Sequence, residues 1–226
     1  MTEQKTDFTT ARTLMVDRQI RPNDIVEPRL IAAFRAIPRE DFLPAPLASR
    51  AYIDADIPLP EGRALLAPLT IGRLLRACAP QPGLAVLVIG AGTGYTASLL
   101  AQCGCRVTAL ESSAALHAIA APALAKHAPA VRLLSGDLAD GDPACGGQDG
   151  APYDRIILEG QVATLPESLA AQLSATGRLI TILRVRGLGR VIIAEAVTGG
   201  GFAHRTIADC AAPFLPGFTP KAEFVF

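Results

Sequence analysis

Residues 86–95, VLVIGAGTGY, constrain the fold more than any other stretch, because an apolar run ends abruptly in three closely spaced glycines. A buried strand that continues through such a turn into a helix is typical of doubly wound α/β proteins. Glycines lack β-carbons and let a ligand lie against the backbone, and the first amides of the helix can donate hydrogen bonds to it. We therefore predict that residues 90–94 contact a nucleotide-like ligand.

The rest of the chain supports this fold class, because strand and helix patterns alternate after residue 82. Strand patterns are found at 85–89, 106–110, 131–134, 153–158, 178–183, 190–197 and 222–226. Helix patterns lie among the first five strands, at 95–102, 114–127 and 166–173. Buried strands that alternate with helices predict a parallel sheet covered on both faces, and the last two strands, with only loops and glycines between them, predict an antiparallel edge. The predicted fold is α/β, a doubly wound, mainly parallel seven-stranded sheet with helices on both faces, an antiparallel C-terminal edge and an N-terminal helical extension.

The N-terminal extension precedes the sheet and has its own pattern. Helical spacing is seen at 9–24, 27–37 and 65–78, and a stretch rich in proline and acidic residues at 41–61 predicts a loop. We predict two parts, residues 1–80 as a helical extension on the substrate side and residues 81–226 as the ligand-binding domain, within one compact unit.

Charge and hydropathy exclude several classes of partner. The 21 basic residues balance the 21 acidic ones, so no overall field attracts nucleic acid or an anionic membrane. We interpret a local basic cluster, Arg178, Arg184, Arg186 and Arg190, as a solvated edge. The apolar runs are too short to span a bilayer, and the N-terminus lacks the pattern of a secretory signal. We therefore expect a cytoplasmic protein without a membrane or nucleic-acid partner, and the sequence leaves its oligomeric state open.

The cysteines and histidines give no pattern of a metal site. The five cysteines are odd in number and include no C-x-x-C, which argues against a disulfide framework and against a four-thiolate zinc site. His117 and His127 are ten residues apart, so they do not lie on adjacent turns of one helix face as paired ligands would. We predict that no metal is bound.

The spacing of the glycines narrows the choice of ligand. The dinucleotide fingerprint G-x-G-x-x-G requires a glycine at position 95, which is Tyr95, so NAD and FAD are disfavoured. Glu111 ends the next strand, where a carboxylate can accept hydrogen bonds from both ribose hydroxyls. Asp137 follows the third strand, where a carboxylate can accept from an adenine amino group while the neighbouring backbone meets the ring. A ribose-bearing ligand without a pyrophosphate fits best.

In this order, five motifs resemble those of the S-adenosylmethionine-dependent methyltransferases of the Rossmann-like type: GAGTGY, Glu111, the GD at 136–137, PYDRIILEG at 152–160 and GRLITIL at 177–183. Motifs in the N-terminal extension point to one family among these methyltransferases. AIPREDFLP at 36–44, AYIDADIPLP at 51–60 and GRALLAP at 62–68 resemble the protein-L-isoaspartate O-methyltransferase family. The resemblance covers about residues 14–183, and the pairing of PREDF with AYxDxxxPLP is its most distinctive part.

The resemblance implies a cofactor, a substrate and a set of cofactor-binding residues. The cofactor is S-adenosylmethionine, which leaves as S-adenosylhomocysteine, and the substrate is a peptide or protein that carries isoaspartate, whose carboxylate is methyl-esterified at the start of protein repair. The implied cofactor-binding residues are Gly90, Ala91, Gly92, Thr93, Gly94, Tyr95, Glu111, Ser112, Asp137, Leu138 and Glu159. A carboxylate with a pKa of about 4 is already ionised at neutral pH, so the reaction needs alignment rather than a general base.

The chain departs from the family pattern on the substrate side. Relatives carry a hydroxyl residue, thought to hold the substrate carboxylate, where this chain has Leu66, and the threonine two places earlier is Ala64. A lost hydrogen bond to a charged group costs about 1.5–3 kcal/mol, which slows turnover or redirects substrate choice. Arg63, in place of the family glutamine, is a candidate for a compensating positive charge, and Thr70 is a second substitute candidate. No catalytic residue is otherwise assigned.

The chain also departs from the pattern on the cofactor side. Relatives usually carry an acidic residue at the position of Val88, which cannot accept a hydrogen bond. At Glu159 they usually show small or hydroxyl residues, and a carboxylate there would lie near the sulfonium. Three hypotheses stay open. The first is an isoaspartyl methyltransferase, and the second is a divergent methyltransferase that acts on a small molecule, another carboxylate, a hydroxyl or an RNA group. The third is a catalytically silent member that kept the fold.

Overall fold

A computed structural model describes residues 7–145 and 152–220 as a seven-stranded sheet with an N-terminal extension. Helices were predicted on both faces, but the α-helices in these residues all pack on one face, and the other carries only the 3-10 turn Glu167–Gln172. The strand order is β5-β4-β3-β6-β7-β8-β9. These strands are β3 (Ala85–Ile89), β4 (Arg106–Glu111), β5 (Arg132–Ser135), β6 (Tyr153–Val162), β7 (Leu173–Val185), β8 (Leu188–Ala196) and β9 (Phe202–Asp209). All pairs from β5 to β7 are parallel, and β7–β8 and β8–β9 are antiparallel. The predicted parallel sheet with an antiparallel edge is confirmed.

The order of the strands fixes where a ligand crevice can lie. From β3 the chain first builds outward through β4 and β5, and then returns to the other side of β3 with β6. Ile89 is level with Leu110 on one side and with Leu158 on the other, so the carboxyl ends of β3, β4 and β6 form one edge. Doubly wound proteins bind ligands at such a reversal of strand order. We call the region between the ends of β3 and β6 the crevice.

The sheet has a core on each face because alternate residues of its central strand point to opposite sides. In β3, Val86 and Val88 join the larger apolar cluster, whereas Leu87 and Ile89 join the second. The larger cluster also takes in Phe34, Phe42 and other side chains of the N-terminal extension, so the extension and the sheet share one core.

Five α-helices are found in the described residues, in addition to several short 3-10 turns. They are α1 (Phe8–Met15), α2 (Pro28–Ala36), α3 (Pro68–Cys78), α4 (Tyr95–Gln102) and α5 (Ala114–His127). A hairpin of β1 (Ile57–Pro58) and β2 (Ala64–Leu65) connects α2 to α3. None of the helices in residues 7–145 and 152–220 is both long enough and apolar enough to cross a bilayer.

The helices predicted at 95–102 and 114–127 are confirmed with their bounds, and two other predictions need correction. Helix α3 begins at Pro68 and not at residue 65, because residues 64–65 pair with β1 instead. The helix predicted at 166–173 is a 3-10 turn, Glu167–Gln172.

The C-terminal edge contains a strand that was not predicted. Strand β9 was missed within a segment predicted to contain only loops, because its polar sequence FAHRTIAD is mostly exposed and lacks a buried alternation. The strand predicted at 222–226 lies outside the described residues.

Candidate functional site

The glycine turn lies at the carboxyl end of β3, as the sequence predicts. Gly90, Gly92 and Gly94 all have positive φ, at 71°, 57° and 90°, a region that other residues rarely adopt. The amides of Gly90 and Ala91 both donate to the carbonyl of Leu110, at 2.9 and 3.0 Å, which ties the turn to β4. A β-carbon added at Gly92 would meet no heavy atom within 4 Å, so the backbone is bare at this glycine.

Glu111, at the end of β4, is fully buried beside this turn and accepts hydrogen bonds from three donors. The Gly92 amide donates to its Oε2 at 2.7 Å, and the Ser113 amide donates to its Oε1 at 2.9 Å. The third donor is Arg63 Nη1, also 2.9 Å from Oε1. The carboxylate predicted to hold a ribose is therefore paired with a side chain of the N-terminal extension.

Arg63 reaches the crevice from the loop that precedes β2. Only 6% of the residue is exposed, and its Nη2 donates to the Gly90 carbonyl at 2.8 Å, so one guanidinium contacts both β4 and the glycine turn. The chain reaches it through two residues with positive φ, Glu61 at 58° and Gly62 at 69°. From the sequence, Arg63 is a candidate to supply a positive charge to the substrate, but in the structure its guanidinium contacts Glu111.

Leu215 covers the other side of the crevice and was not found from the sequence. It is 1% exposed, and β-carbons added at Gly90 and Gly160 would lie 2.6 Å from its Cδ2 and Cγ, respectively. Its segment is held to the end of β6 by the main chain. The Gln161 amide donates to the Pro213 carbonyl, and the Leu215 amide donates to the Gln161 carbonyl, both at 2.9 Å. No local motif marks this residue, since the contact joins parts of the chain that are distant in sequence.

Glu159 is a buried acid within β6, directly beyond Leu158, the residue level with Ile89. It is 7% exposed, and within the described residues its Oε2 has no hydrogen-bond partner. Burial raises the pKa of Glu159 to about 8, and the negative charge of Glu111 adds to this effect, although Thr96, Arg63 and Arg39 oppose it. The side chain is therefore mostly neutral at pH 7 and can donate a hydrogen bond.

Several other buried polar groups near the glycine turn also lack partners among the residues that the structure describes. They are Thr93 Oγ1, Tyr95 Oη, Thr96 Oγ1, Ser98 Oγ and Arg39 Nη1, although Thr96 lies beside the Glu159 carboxyl and Tyr95 beside Arg39, so Thr93 and Ser98 are the clearest cases. Buried polar atoms are normally paired, so such a concentration is expected where a polar ligand completes the hydrogen bonds. Together with the bare backbone at Gly92, these groups fit a polar ligand at the turn.

Arg39 and Tyr95 connect the N-terminal extension to the turn. The Arg39 guanidinium carbon lies 5.0 Å from the centroid of the Tyr95 ring, and Phe42 packs edge-on against the same ring at 5.4 Å. Arg39 is fully buried, which lowers its pKa, and it donates to the carbonyls of Ala51 and Leu66 at 2.7 and 2.5 Å. Through Arg39 and Phe42, the PREDF motif therefore packs the extension against Tyr95, the first residue of α4.

The remaining candidates for the cofactor lie at the ends of β4 and β5. Ser112 and Asp137 are exposed, and Leu138 is buried at 2% exposure. The Asp137 carboxylate accepts from the Ala139 amide at 2.8 Å, so it closes its own turn. The structure does not bring Asp137 into contact with the groups that surround Glu111.

The substrate-side candidates are largely in the core. The Leu66 side chain is 2% exposed, and Thr70 is 8% exposed with its hydroxyl 3.6 Å from the Cys210 thiol. Val88 is fully buried below the turn. Neither Leu66 nor Val88 supplies a polar atom to the crevice.

The basic cluster predicted as a solvated edge has partners of its own. Arg178 Nε lies 3.0 Å from Glu195 Oε1, and Arg190 Nε lies 3.4 Å from Asp209 Oδ1. Arg184 lies over the Phe214 ring at 5.7 Å. In residues 7–145 and 152–220, no group of three or more His, Cys, Asp or Glu side chains is placed to hold a metal ion.

Comparison with known families and sequences gives consistent matches. The family model described as protein-L-isoaspartate(D-aspartate) O-methyltransferase matches residues 11–192. A protein-L-isoaspartate O-methyltransferase of Methylorubrum extorquens is 38% identical over 193 residues, which cover 81% of this chain and 82% of the relative. A relative of the same name from Methanoregula boonei is 34% identical and covers 81% and 83% of the two chains.

Comparison with solved structures shows the same fold at low sequence identity. A crystal structure described as a protein-L-isoaspartate O-methyltransferase of Plasmodium falciparum, in complex with S-adenosyl-L-homocysteine, superposes with a TM-score of 0.75. The two are 16% identical, and the match covers 90% of this chain and 96% of the other. A second solved structure, also of a protein-L-isoaspartate O-methyltransferase, gives a TM-score of 0.74 at 21% identity, covering 92% of this chain and 65% of the other.

Proposed function

The chain belongs to the protein-L-isoaspartate(D-aspartate) O-methyltransferase family, and on that premise we propose that it methyl-esterifies the carboxylate of isoaspartyl residues in peptides or proteins. The observation that carries this proposal is the family match over residues 11–192, since that span includes the glycine turn, Glu111, Glu159 and Arg63. S-adenosylmethionine supplies the electrophilic methyl group when bound and leaves as S-adenosylhomocysteine.

The chain would hold the cofactor at the crevice edge. The turn from Gly90 to Tyr95 offers bare backbone at Gly92 and buried hydroxyls without partners, and Glu111 offers a carboxylate for ribose hydroxyls once Arg63 leaves it. Ser112, Asp137 and Leu138, at the ends of β4 and β5, would contact the adenine, and Glu159 would lie beside the reacting end. In this proposal, residues 81–226 carry the cofactor and residues 1–80 form the substrate side.

The role of the protein in the transfer is alignment and exclusion of water. The substrate carboxylate is ionised at neutral pH, so no side chain has to remove a proton. Transfer requires the substrate oxygen at about 3–3.5 Å from the methyl carbon, which is a matter of positioning. Because burial keeps Glu159 mostly neutral at pH 7, this acid does not repel a carboxylate substrate and can donate a hydrogen bond to it.

The free thiols agree with a cytoplasmic location. All five cysteines are unpaired, and four of them are buried. Proteins of reducing compartments keep their thiols in this state, whereas small secreted domains form disulfides. Residence in the cytoplasm is therefore part of the proposal, together with a peptide or protein partner.

The proposal is tested by methyl transfer from labelled S-adenosylmethionine to an isoaspartyl peptide and to its aspartyl twin. We expect a base-labile methyl ester on the isoaspartyl peptide alone. Thr70→Val, which replaces the hydroxyl by a methyl group, tests whether the Thr70 hydroxyl supplies the donor that Leu66 lacks. No ester on either peptide, from protein shown to bind the cofactor, would refute the isoaspartyl activity.

The buried Leu66 side chain favours a second candidate function. Because position 66 is a leucine, it cannot donate the hydrogen bond expected from the hydroxyl residue of the relatives. The second candidate is therefore a divergent methyltransferase that acts on a different acceptor. Cofactor binding with transfer to a small-molecule acceptor or RNA, but to neither peptide, would identify this alternative.

A further inference from the structure

The crevice is covered by two segments that are chemically unrelated and distant in sequence. Arg63, from the hairpin of the N-terminal extension, pairs with Glu111 and the Gly90 carbonyl. Leu215, from the segment after β9, packs on Gly90 and Gly160. Both side chains are more than nine-tenths buried, so in this conformation they fill the space beside the glycine turn.

Arg63 already makes the contact with Glu111 that is proposed for the ribose hydroxyls. An ionised carboxylate has two oxygens to share, and two backbone amides plus one guanidinium already donate to those of Glu111. The backbone amides belong to the turn itself and cannot leave, so two ribose hydroxyls can reach Glu111 only if the guanidinium moves away. The bond that must be broken is a charge-assisted one, which is stronger than a bond between neutral groups.

Leu215 occupies the space above the turn. Any side chain at Gly90 or Gly160 would overlap it, so these two glycines provide the space that its isobutyl group fills. The segment is also held by its two main-chain hydrogen bonds to Gln161. A ligand that lies on the backbone at Gly90 and the Leu215 side chain exclude one another.

We propose that Arg63 and Leu215 form a latch that closes the cofactor crevice in the free protein, and that both must be released before S-adenosylmethionine binds. This inference rests on the proposed function. The open state is then a minor population, and the apparent dissociation constant for the cofactor exceeds the intrinsic one by the inverse of that population. Positive-φ residues flank both parts of the latch, Gly62 before Arg63 and Gly217 after Leu215, where the backbone can pivot.

The test is calorimetric titration of the full chain with S-adenosylmethionine, applied to the wild type, Arg63→Gln, Leu215→Ala and the double variant. Each latch variant raises the population of the open state, so we expect the apparent dissociation constant to fall by about tenfold or more. Two matched controls should leave it unchanged. Arg178→Gln removes an exposed ion pair, and Leu169→Ala removes a leucine that is just as buried but belongs to the 3-10 turn after β6.

A second readout does not depend on turnover or on the stability of a variant. In the wild type, the Leu215 amide donates to the Gln161 carbonyl, so it should be protected from hydrogen exchange. We expect saturating S-adenosylmethionine to speed its exchange, because the latch opens, while amides in the centre of β7 stay protected.

The outcomes separate the latch from the function. Equal cofactor affinity in the wild type and in every latch variant, with Leu215 protection unchanged on binding, would overturn the latch and leave the methyltransferase proposal standing. If no protein in the series, including the double variant, binds S-adenosylmethionine, the proposed function fails and the latch fails with it.

Discussion

The two sides of the crevice are built in different ways. One side is the edge formed by β3, the glycine turn, α4 and β4, where backbone hydrogen bonds link consecutive elements and Glu111 is held by main-chain amides. The other side is a cover, made of Arg63 and Leu215, two single side chains that are about 150 residues apart in the chain. The edge is formed by elements that follow one another in the chain and are joined by backbone hydrogen bonds. The cover depends on contacts between side chains that are distant in sequence, and one substitution can remove such a contact.

The largest expected effect comes from removing the charged part of the cover. Arg63→Met leaves Glu111 as a buried carboxylate without its cation, and breaking a buried ion pair in this way costs about 3–5 kcal/mol in the free energy of unfolding. Arg178→Met breaks an exposed pair and should cost about 0–1 kcal/mol. Urea unfolding at neutral pH measures both. A cost for Arg63→Met as small as that for Arg178→Met would show that the pair of Arg63 and Glu111 contributes nothing to the fold.

A pair of glycine substitutions separates the edge from the cover. Gly90→Ala and Gly92→Ala both place a β-carbon at positive φ, but only the first puts it 2.6 Å from Leu215. We expect Gly92→Ala to lose about 1 kcal/mol of stability from the backbone alone and Gly90→Ala to lose about 2–3 kcal/mol, because packing against Leu215 is added. Thermal unfolding of the two variants gives the difference. Equal losses would indicate that Leu215 is not seated on the turn in solution.

A further effect, visible only as a dependence on pH, comes from Glu159. Its pKa is raised to about 8 in the folded protein, so between pH 4.5 and 8 the folded state holds a proton that the unfolded state has released. The free energy of unfolding therefore falls as pH rises through this window and levels off above it. Glu159→Gln has no proton to lose, so its stability relative to the wild type should increase by about 3 kcal/mol from pH 5 to pH 8.

The control for that measurement is Glu195→Gln, which changes an exposed carboxylate of β8. Its stability relative to the wild type should not follow the same pH window. A flat difference for Glu159→Gln would mean that Glu159 is ionised in the folded protein at neutral pH, and that another group compensates for its burial.

The edge could be predicted from the sequence because its signals are local. Helices α4 and α5 were predicted with their bounds, and the glycine turn was placed correctly at the end of β3, since strand, turn and helix patterns lie next to one another in the chain. Burial of Glu111 beside the turn follows from the parallel register of β3 and β4. The roles assigned to these residues in cofactor binding remain predictions.

The cover could not be predicted because its partners are far apart in sequence. Arg63 was proposed for the substrate side, and only the folded hairpin of β1 and β2 shows that it reaches Glu111. Leu215 follows a strand that was itself missed, since β9 is a polar edge strand without a buried face. Apolar periodicity reports which residues are buried along one element, but not which distant side chain meets them.

The position of Leu215 in the chain also has a consequence for biosynthesis. Residues are added from the N-terminus, so the glycine turn, Glu111 and Arg63 leave the ribosome before residue 215 has been made. A nascent chain that has folded through β6 would expose Gly90 and Gly160 to solvent, because the leucine that packs on them does not yet exist. At that stage Arg63 would be the one part of the cover already synthesised, so the two parts of the cover would be added at different times.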